Sequence, residues 1–314
     1  MKADSSLTVS ALITSFNSAS TIEEAIKSVL DQSRAVDKVI VVDDGSTDNS
    51  VELIKAFEPM VHLVLSKSQS PSGARNAGLE YCNTDFIALL DGDDTWHHDK
   101  IATQLGLALL NLDCNVIASN WSRDQAALNC VVTETTRLYC SDILILNRFQ
   151  TSTALVSREG FRQAGNFDPE MDTAEDWDMW IRLSKFGNAL LANAPMVFYR
   201  DNPSGVSKKI LVLQAKVSEI IDREYQDNYL DRRYISNLRA WHHQRFIFAA
   251  LLSKDASQAL RLIKELPHRG TFQDHMLALK EYTLPFVFRR FTLRFQRAVK
   301  SRSAQISKNK AQQP

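Results

Sequence analysis

The apolar run Phe86-Ile87-Ala88-Leu89-Leu90 leads directly into Asp91-Gly92-Asp93-Asp94, and few folds accept three carboxylates at the exit of a buried strand. A second run, Val39 to Val42, ends in Asp43-Asp44 and the turn Gly45-Ser46-Thr47-Asp48. Continuous apolar runs of this kind suit parallel strands covered on both faces. Sheets of such strands bind ligands where the strands release their carboxyl ends into loops. Both acidic clusters are therefore predicted at the carboxyl edge of one α/β sheet.

The surrounding periodicity supports that architecture. Residues 7–14 read as a strand, and Ser20 to Asp31 as a helix with apolar positions at Ile22, Ile26, Val29 and Leu30. A helix over Ser50 to Phe57, a strand over Val61 to Leu65, a Ser-rich loop, a helix over Gly73 to Cys82 and a strand over Asp85 to Leu90 follow. Regular alternation of strand and helix predicts a mostly parallel central sheet flanked by helices. A helix over Ile101 to Leu112 and a strand over Val116 to Trp121 come next, and beyond Cys140 the signals mix. From Lys208 onward the chain reads as helices only: Ile210 to Tyr229, Asp231 to Ser253, Ala256 to Leu266 and Thr271 to Leu279. The predicted division is an α/β domain over 1–207 and a helical C-terminal region over 208–314.

Charge and cysteine usage exclude several classes. The four cysteines, Cys82, Cys114, Cys130 and Cys140, form no CxxC pair and suggest neither a zinc site nor a disulfide scaffold. Neither a signal-peptide core nor an apolar stretch of the roughly 18–20 residues that span a bilayer is apparent, which predicts a cytoplasmic location. Formal net charge is zero, yet residues 282–314 hold eight Lys or Arg and no Asp or Glu, leaving 29 Lys or Arg against 37 Asp or Glu elsewhere. The tail Leu284 to Lys300 mixes bulky apolar residues with arginines, a pattern for peripheral association with the inner face of an anionic membrane. Its alternative is a helix packed through Phe286, Phe288, Phe291 and Phe295. Nucleic-acid binding is not expected from an acidic body without a recognition motif.

In an extended segment Asp91 and Asp93 point the same way, roughly 6–7 Å apart. They can serve a divalent cation and a ligand hydroxyl together, and hard oxygen ligands favour Mg2+ or Mn2+. Helix capping accounts for one of the three carboxylates at most. Asp43 and Asp44 can accept hydrogen bonds from a base N–H or a ribose, while Asp48 or Asn49 caps the next helix. Further along, Thr173-Ala174-Glu175-Asp176-Trp177-Asp178 opens a helix, where Thr173 and Asp176 could form a purely structural capping box. His97 with His98 and His242 with His243 read as solvated or structural pairs.

Taken in order, ALITSFN at 11–17, SVLDQ at 28–32, VIVVDDGSTDNS at 39–50, GARNAGLEYCNTDFIALLDGDD at 73–94 and AEDWDMWIRL at 174–183 resemble the family 2 glycosyltransferases, inverting enzymes of GT-A fold. The resemblance spans residues 7–207. It implies a nucleotide-sugar half over about 1–96 and an acceptor half over about 97–207. It also implies that Thr14, Phe16 and Asp44 line the base pocket, that Asp43 is secondary and that Arg75 stands near the base or phosphates. Asp91 and Asp93 would face the ribose and the metal, with Asp94 a further candidate ligand. Asp176 would be the general base, with Glu175 its runner-up or an acceptor contact, and Arg200 would reach the diphosphate. Two departures stand out: Asn202 where histidine is common, and Ser15-Phe16 where Pro-Tyr or Ser-Tyr is frequent.

The expected activity is transfer of a sugar from a nucleoside diphosphate donor, UDP-linked by preference, to a glycan or lipid-linked acceptor in cell-surface polysaccharide or glycolipid synthesis. The competing readings are a non-catalytic nucleotide-sugar-binding protein and a nucleotidyltransferase. SFNSAST after the first strand lacks the Gly-rich loop and lysine that the last would need.

Overall fold

The computed structural model describes residues 7–171, 173–200, 210–227 and 229–286. The chain divides into two compact units, residues 1–209 and 210–314. In the first, β1 (Val9–Ser15), β2 (Lys38–Asp43), β3 (His62–Leu65) and β4 (Phe86–Asp91) pair in parallel in the order β3-β2-β1-β4. Beyond β4 the sheet continues through β8 (Leu155–Ser157), β6 (Cys114–Ser122), β9 (Asn188–Phe198) and the short β5 (Thr95–Trp96), with β7 (Thr135–Leu138) also on β9. β8 runs antiparallel to β4 and β6, whereas β6 and β9 are parallel. The predicted mixed α/β class is observed.

Local chemistry explains the elements that position the site. Helix α1 (Ile22–Leu30) buries Ile22, Ala25, Ile26 and Val29, and carries Glu23 and Glu24 in its first turn, where the helix dipole favours negative charge. Asp48 accepts from Ser50 N at 3.0 Å where α2 (Ser50–Lys55) begins. Helix α3 (Pro71–Leu79) starts two residues before the predicted Gly73, because Ser70 caps it by accepting from Gly73 N at 3.1 Å and Pro71 suits the first turn. Gly78 of this helix lies against the sheet: a Cβ there would come 2.2 Å from Leu12 Cδ1. Helix α4 (Lys100–Leu110) follows β5, α5 (Cys140–Ile145) follows β7, and α6 (Arg158–Ala164) and α7 (Glu175–Ser184) precede β9. The continuous runs of β1, β2 and β4 supply much of the core, with Val9, Ile13, Val41, Ala88 and Leu90 nearly inaccessible.

The second unit is helical through its described residues: α8 (Ile210–Asp227), α9 (Arg232–Leu252), α10 (Ala256–Glu265) and α11 (Phe272–Ala278), the last running into a π-helical stretch at Leu279–Thr283. Its helix starts capped by side chains include Asp231 on Tyr234 N and a capping box between Thr271 and Asp274. His242 and His243 are buried, and His243 Nε2 lies 2.6 Å from the Leu262 carbonyl. His97 Nδ1 accepts from Asp99 N at 3.1 Å. No helix among the described residues is long and apolar enough to cross a membrane. Residues 287–300 of the expected basic helix, and residues 201–207 of the loop after Arg200, lie outside the described residues.

Candidate active site

Asp91 is the last residue of β4 and pairs directly with Thr14 of β1, so the register that buries the two strands also aligns their exits. Thr14 Oγ1 donates to Asp91 Oδ1 at 3.3 Å. Gly92 turns the chain tightly: its N–H donates to Thr14 O at 2.8 Å, and a Cβ there would meet that oxygen at 2.9 Å. The close approach that Gly92 permits is thus to the neighbouring strand. Asp94 is 1% exposed, with Oδ2 accepting from Ser152 Oγ at 2.6 Å and Oδ1 from Arg200 N at 3.0 Å. Burial, then the charges of Asp91 and Asp93, push its pKa up to about 8. Asp93, half-buried, is pushed up to about 6 by burial first and the charge of Asp91 second.

These contacts divide the three carboxylates. Asp94 is committed to Ser152 and to the backbone of Arg200, whereas among the described residues Asp91 Oδ2 accepts no hydrogen bond and Asp93 is reached only by its own backbone N–H. Two such carboxylates fit an ion that takes one or two protein oxygens and completes its shell with phosphate and water. Among the described residues no group of three His, Cys, Asp or Glu side chains is gathered as a ready metal cage.

Asp43 and Asp44 are both occupied in the fold. Asp43 accepts from Ser46 N at 2.9 Å and Ser46 Oγ at 2.6 Å, holding the turn in which Gly45 takes φ +82°. Asp44 accepts from Ser68 N and Ser68 Oγ, both at 2.8 Å, and from Ser70 N at 2.9 Å, which pins the 66–70 loop beside the β2 exit. Burial alone would raise the Asp44 pKa, but hydrogen bonds from Ser66, Ser68 and Gln69 outweigh it and hold the carboxylate below its ordinary value. Phe16, directly after β1, is 60% exposed and presents a free ring face at this edge.

Arg75 of α3 is 4% exposed and joins two motifs: Nη2 donates to Asp91 Oδ1 at 2.9 Å and Nη1 to Glu175 Oε1 at 2.7 Å. Its guanidinium also lies 5.3 Å from the Phe167 ring centre. Desolvation would lower its pKa, and the two carboxylates overcome that and keep it charged. The residue expected near base or phosphates is thus a buried link between carboxylates. Arg200 pairs with Glu24, and its guanidinium lies 5.2 Å from the Phe198 ring centre.

Helix α7 begins without the capping box that Thr173 and Asp176 suggested. Its N-cap is Ala174 at φ +59°, a left-handed conformation costly for a residue with a Cβ. Asp176 therefore falls on the second helical position, where Oδ1 accepts from Trp177 N at 2.7 Å and Oδ2 from Asn147 Nδ2 at 2.9 Å. Burial first and Glu175 second drive its pKa well above the ordinary carboxylate range. Asp178 is fully buried and spent on Arg182 at 2.8 Å. Trp177 Nε1, donating to Ile143 O at 2.7 Å, ties the helix to α5.

One site thus collects Thr14, Asp91, Arg75 and Glu175 through direct contacts, with Asp93, Asp94 and Asp176 adjacent in the chain. Asp44 with its serine loop and Phe16 border the same sheet edge. Asn147 and Ser152 escaped the sequence reading because they lie in the region of mixed signals and belong to no charged cluster.

Comparison with known proteins agrees with this geometry. Residues 10–161 match the family model described as glycosyl transferase family 2. The putative teichuronic acid biosynthesis glycosyltransferase TuaG of Bacillus subtilis is 30% identical over 187 residues, covering 57% of this chain and 73% of TuaG. The UDP-Glc:alpha-D-GlcNAc-diphosphoundecaprenol beta-1,3-glucosyltransferase WfgD of Escherichia coli is 35% identical over 105 residues, 33% of this chain and 42% of WfgD, so the match spans less than half of that relative. Among solved structures, the mannosyltransferase PcManGT of Pyrobaculum calidifontis in complex with GDP-Man and Mn2+ superposes with a TM-score of 0.61 at 16% identity, covering 91% of this chain and 83% of that one. The shared architecture is the GT-A fold. With the family model matched and TuaG covered over most of its length, the chain belongs to glycosyl transferase family 2 and is a glycosyltransferase.

Proposed function

We propose that this enzyme transfers a sugar, with inversion, from a UDP-sugar to a glycan or lipid-linked acceptor in cell-surface polysaccharide or glycolipid synthesis. The observation that carries the reading is the Arg75 bridge, which ties the donor-side carboxylate Asp91 to Glu175, the neighbour of Asp176. Donor and acceptor machinery thereby share one buried charge network. The lipid-linked acceptor and the UDP donor are supported by the similarity to WfgD, a UDP-Glc:alpha-D-GlcNAc-diphosphoundecaprenol beta-1,3-glucosyltransferase. Divalent-metal dependence is supported by the Mn2+ complex of PcManGT and by the open oxygen Oδ2 of Asp91 beside the Asp93 carboxylate.

In this reading Asp91 and Asp93 hold Mn2+ or Mg2+, which when bound neutralises charge on the departing diphosphate. Phe16 stacks on the base, and Asp44 keeps the 66–70 loop folded around the nucleotide. Asp176 takes the proton from the acceptor hydroxyl as that oxygen bonds to the anomeric carbon, while the anomeric carbon–oxygen bond to the diphosphate breaks on the opposite face and UDP leaves with the electron pair. A raised pKa suits this role, since a base works best when its pKa lies near the operating pH.

The test is UDP release from a panel of UDP-sugars by purified protein, with Mn2+ and with chelator. Metal-dependent release that Asp176→Asn abolishes while UDP still binds is the expected result. Full turnover by Asp176→Asn, or release unaffected by chelator, would refute it.

A further inference from the structure

Asp176 is gripped at both oxygens, and only one grip comes from a side chain. Oδ1 takes the N–H of Trp177 at 2.7 Å, and Oδ2 takes the amide of Asn147 at 2.9 Å. Asn147 lies just past α5, 29 residues upstream and outside every motif. Its own Oδ1 is buried and has no hydrogen-bond partner among the described residues. The amide's orientation follows from its surroundings. Turned over, Asn147 would set its oxygen against an ionised carboxylate, so the nitrogen faces Asp176 and the oxygen is left bare. A bare buried acceptor is destabilising, and proteins keep such violations of polar satisfaction mostly at functional sites.

We infer that Asn147 is a positioning residue for transfer: its amide fixes Oδ2 of Asp176 and so aims the carboxylate's remaining lone pairs at the acceptor hydroxyl. This rests on the reading of Asp176 as general base. The charged groups that act on Asp176 are Glu175 of its own helix and Arg75 of α3. Burial and Glu175 favour the protonated form, whereas the Asn147 hydrogen bond and Arg75 favour the ionised form. Without Asn147 a larger share of Asp176 carries a proton at neutral pH and is unable to accept another.

The test uses the full chain and follows Mn2+-dependent UDP release from UDP-glucose or UDP-N-acetylglucosamine, whichever the wild type turns over, across about pH 5 to 9. For Asn147→Ala the expected kcat at neutral pH is lower by roughly ten-fold, part of the contribution typical of a positioned general base. The donor KM stays within about two-fold, and the acidic limb moves to higher pH, so that some activity returns under alkaline conditions. Asn147→Asp places a like charge beside Asp176 and moves the limb further in the same direction. Thermal stabilisation by UDP reports folding of each variant, and either folded variant suffices for the comparison. Profiles that overlie the wild type, or fall by one factor at every pH, reduce Asn147 to packing and overturn the inference. Asp176→Asn keeps the two readings apart: its full activity removes the base assignment itself, whereas an inactive Asp176→Asn with unshifted Asn147 profiles fails this inference alone.

Discussion

Arg75 and Glu175, one hundred residues apart, meet in an ion pair of 2.7 Å, and the same guanidinium reaches Asp91 at 2.9 Å. A guanidinium fork can serve two carboxylates at once, and an ammonium has neither the span nor the planarity. Burial makes the arrangement conditional on both partners, because removing one member of a buried pair leaves an uncompensated charge.

Arg75→Lys and Arg75→Met are therefore expected to lose stability as well as turnover. Loss of a buried partner costs about 3–5 kcal/mol, and the one-third exposure of the Asp91 side chain reduces this to roughly 2–3 kcal/mol, measured by urea denaturation. A double-mutant cycle with Glu175→Gln should give a coupling of about 1–3 kcal/mol. Additive losses would mean that the bridge seen at 2.7 Å contributes nothing.

The exit of β2 offers a second measurement. Asp44 holds the 66–70 loop through hydrogen bonds that include Ser68 N, Ser68 Oγ and Ser70 N. Asp44→Ala leaves those donors without their acceptor, which is expected to cost about 1–3 kcal/mol and to expose the loop to limited proteolysis. UDP should slow that cleavage in the wild type and fail to do so in the variant. An Asp44→Ala protein as resistant as the wild type would separate the loop from this carboxylate.

Much of residues 7–96 was legible because the signals there are local. A continuous apolar run must be buried, and the runs at 39–42 and 86–90 became β2 and β4, both parallel to β1. The shortest strands were not, since β5 and β8 are only two and three residues long and take their place from pairing across the sheet. Site residues divide in the same way. Asp91 and Asp176 announce themselves by charge, whereas Asn147 and Ser152 matter only through what lies opposite them in three dimensions. Arg75 was legible as a residue but not as a bridge, because its second partner is fixed by long-range packing. Thr173 failed as a cap because Ala174 turns left-handed, a conformation that side-chain preference argues against.

Packing of α3 on the sheet supplies a prediction independent of the chemistry. A methyl group on Gly78 would sit 2.2 Å from Leu12 Cδ1 and 2.8 Å from Val42 Cγ2, well inside contact distance. Gly78→Ala gains helix propensity, worth about 1 kcal/mol, but overpacking of this kind costs about 1–3 kcal/mol. The sterics should win, lowering thermal stability, and the displaced helix carries Arg75, so turnover should fall too. An Ala variant more stable than the wild type would mean that Leu12 simply rotates away.

Ser152 Oγ donates to Asp94 and accepts from Asp91 N at 3.1 Å, so a carboxylate 1% exposed is held among two other negative charges. Its pKa, pushed up to about 8 in the fold, lies far above the value of about 4 in an unfolded chain. Between those limits the unfolded chain gives up this proton while the metal-free folded protein keeps it. The Asp94 contribution therefore lowers stability progressively as pH rises from about 4 to about 8, and is absent below the unfolded pKa. Asp94→Asn keeps the shape, can accept from Arg200 N and donate to Ser152 Oγ, and cannot ionise. Measured by denaturation in chelator, the variant's stability relative to wild type should improve steadily from about pH 5 to about pH 8. A difference that stays flat across that range would show that Asp94 is already ionised in the folded protein, with Ser152 and the Arg200 backbone strong enough to hold the charge.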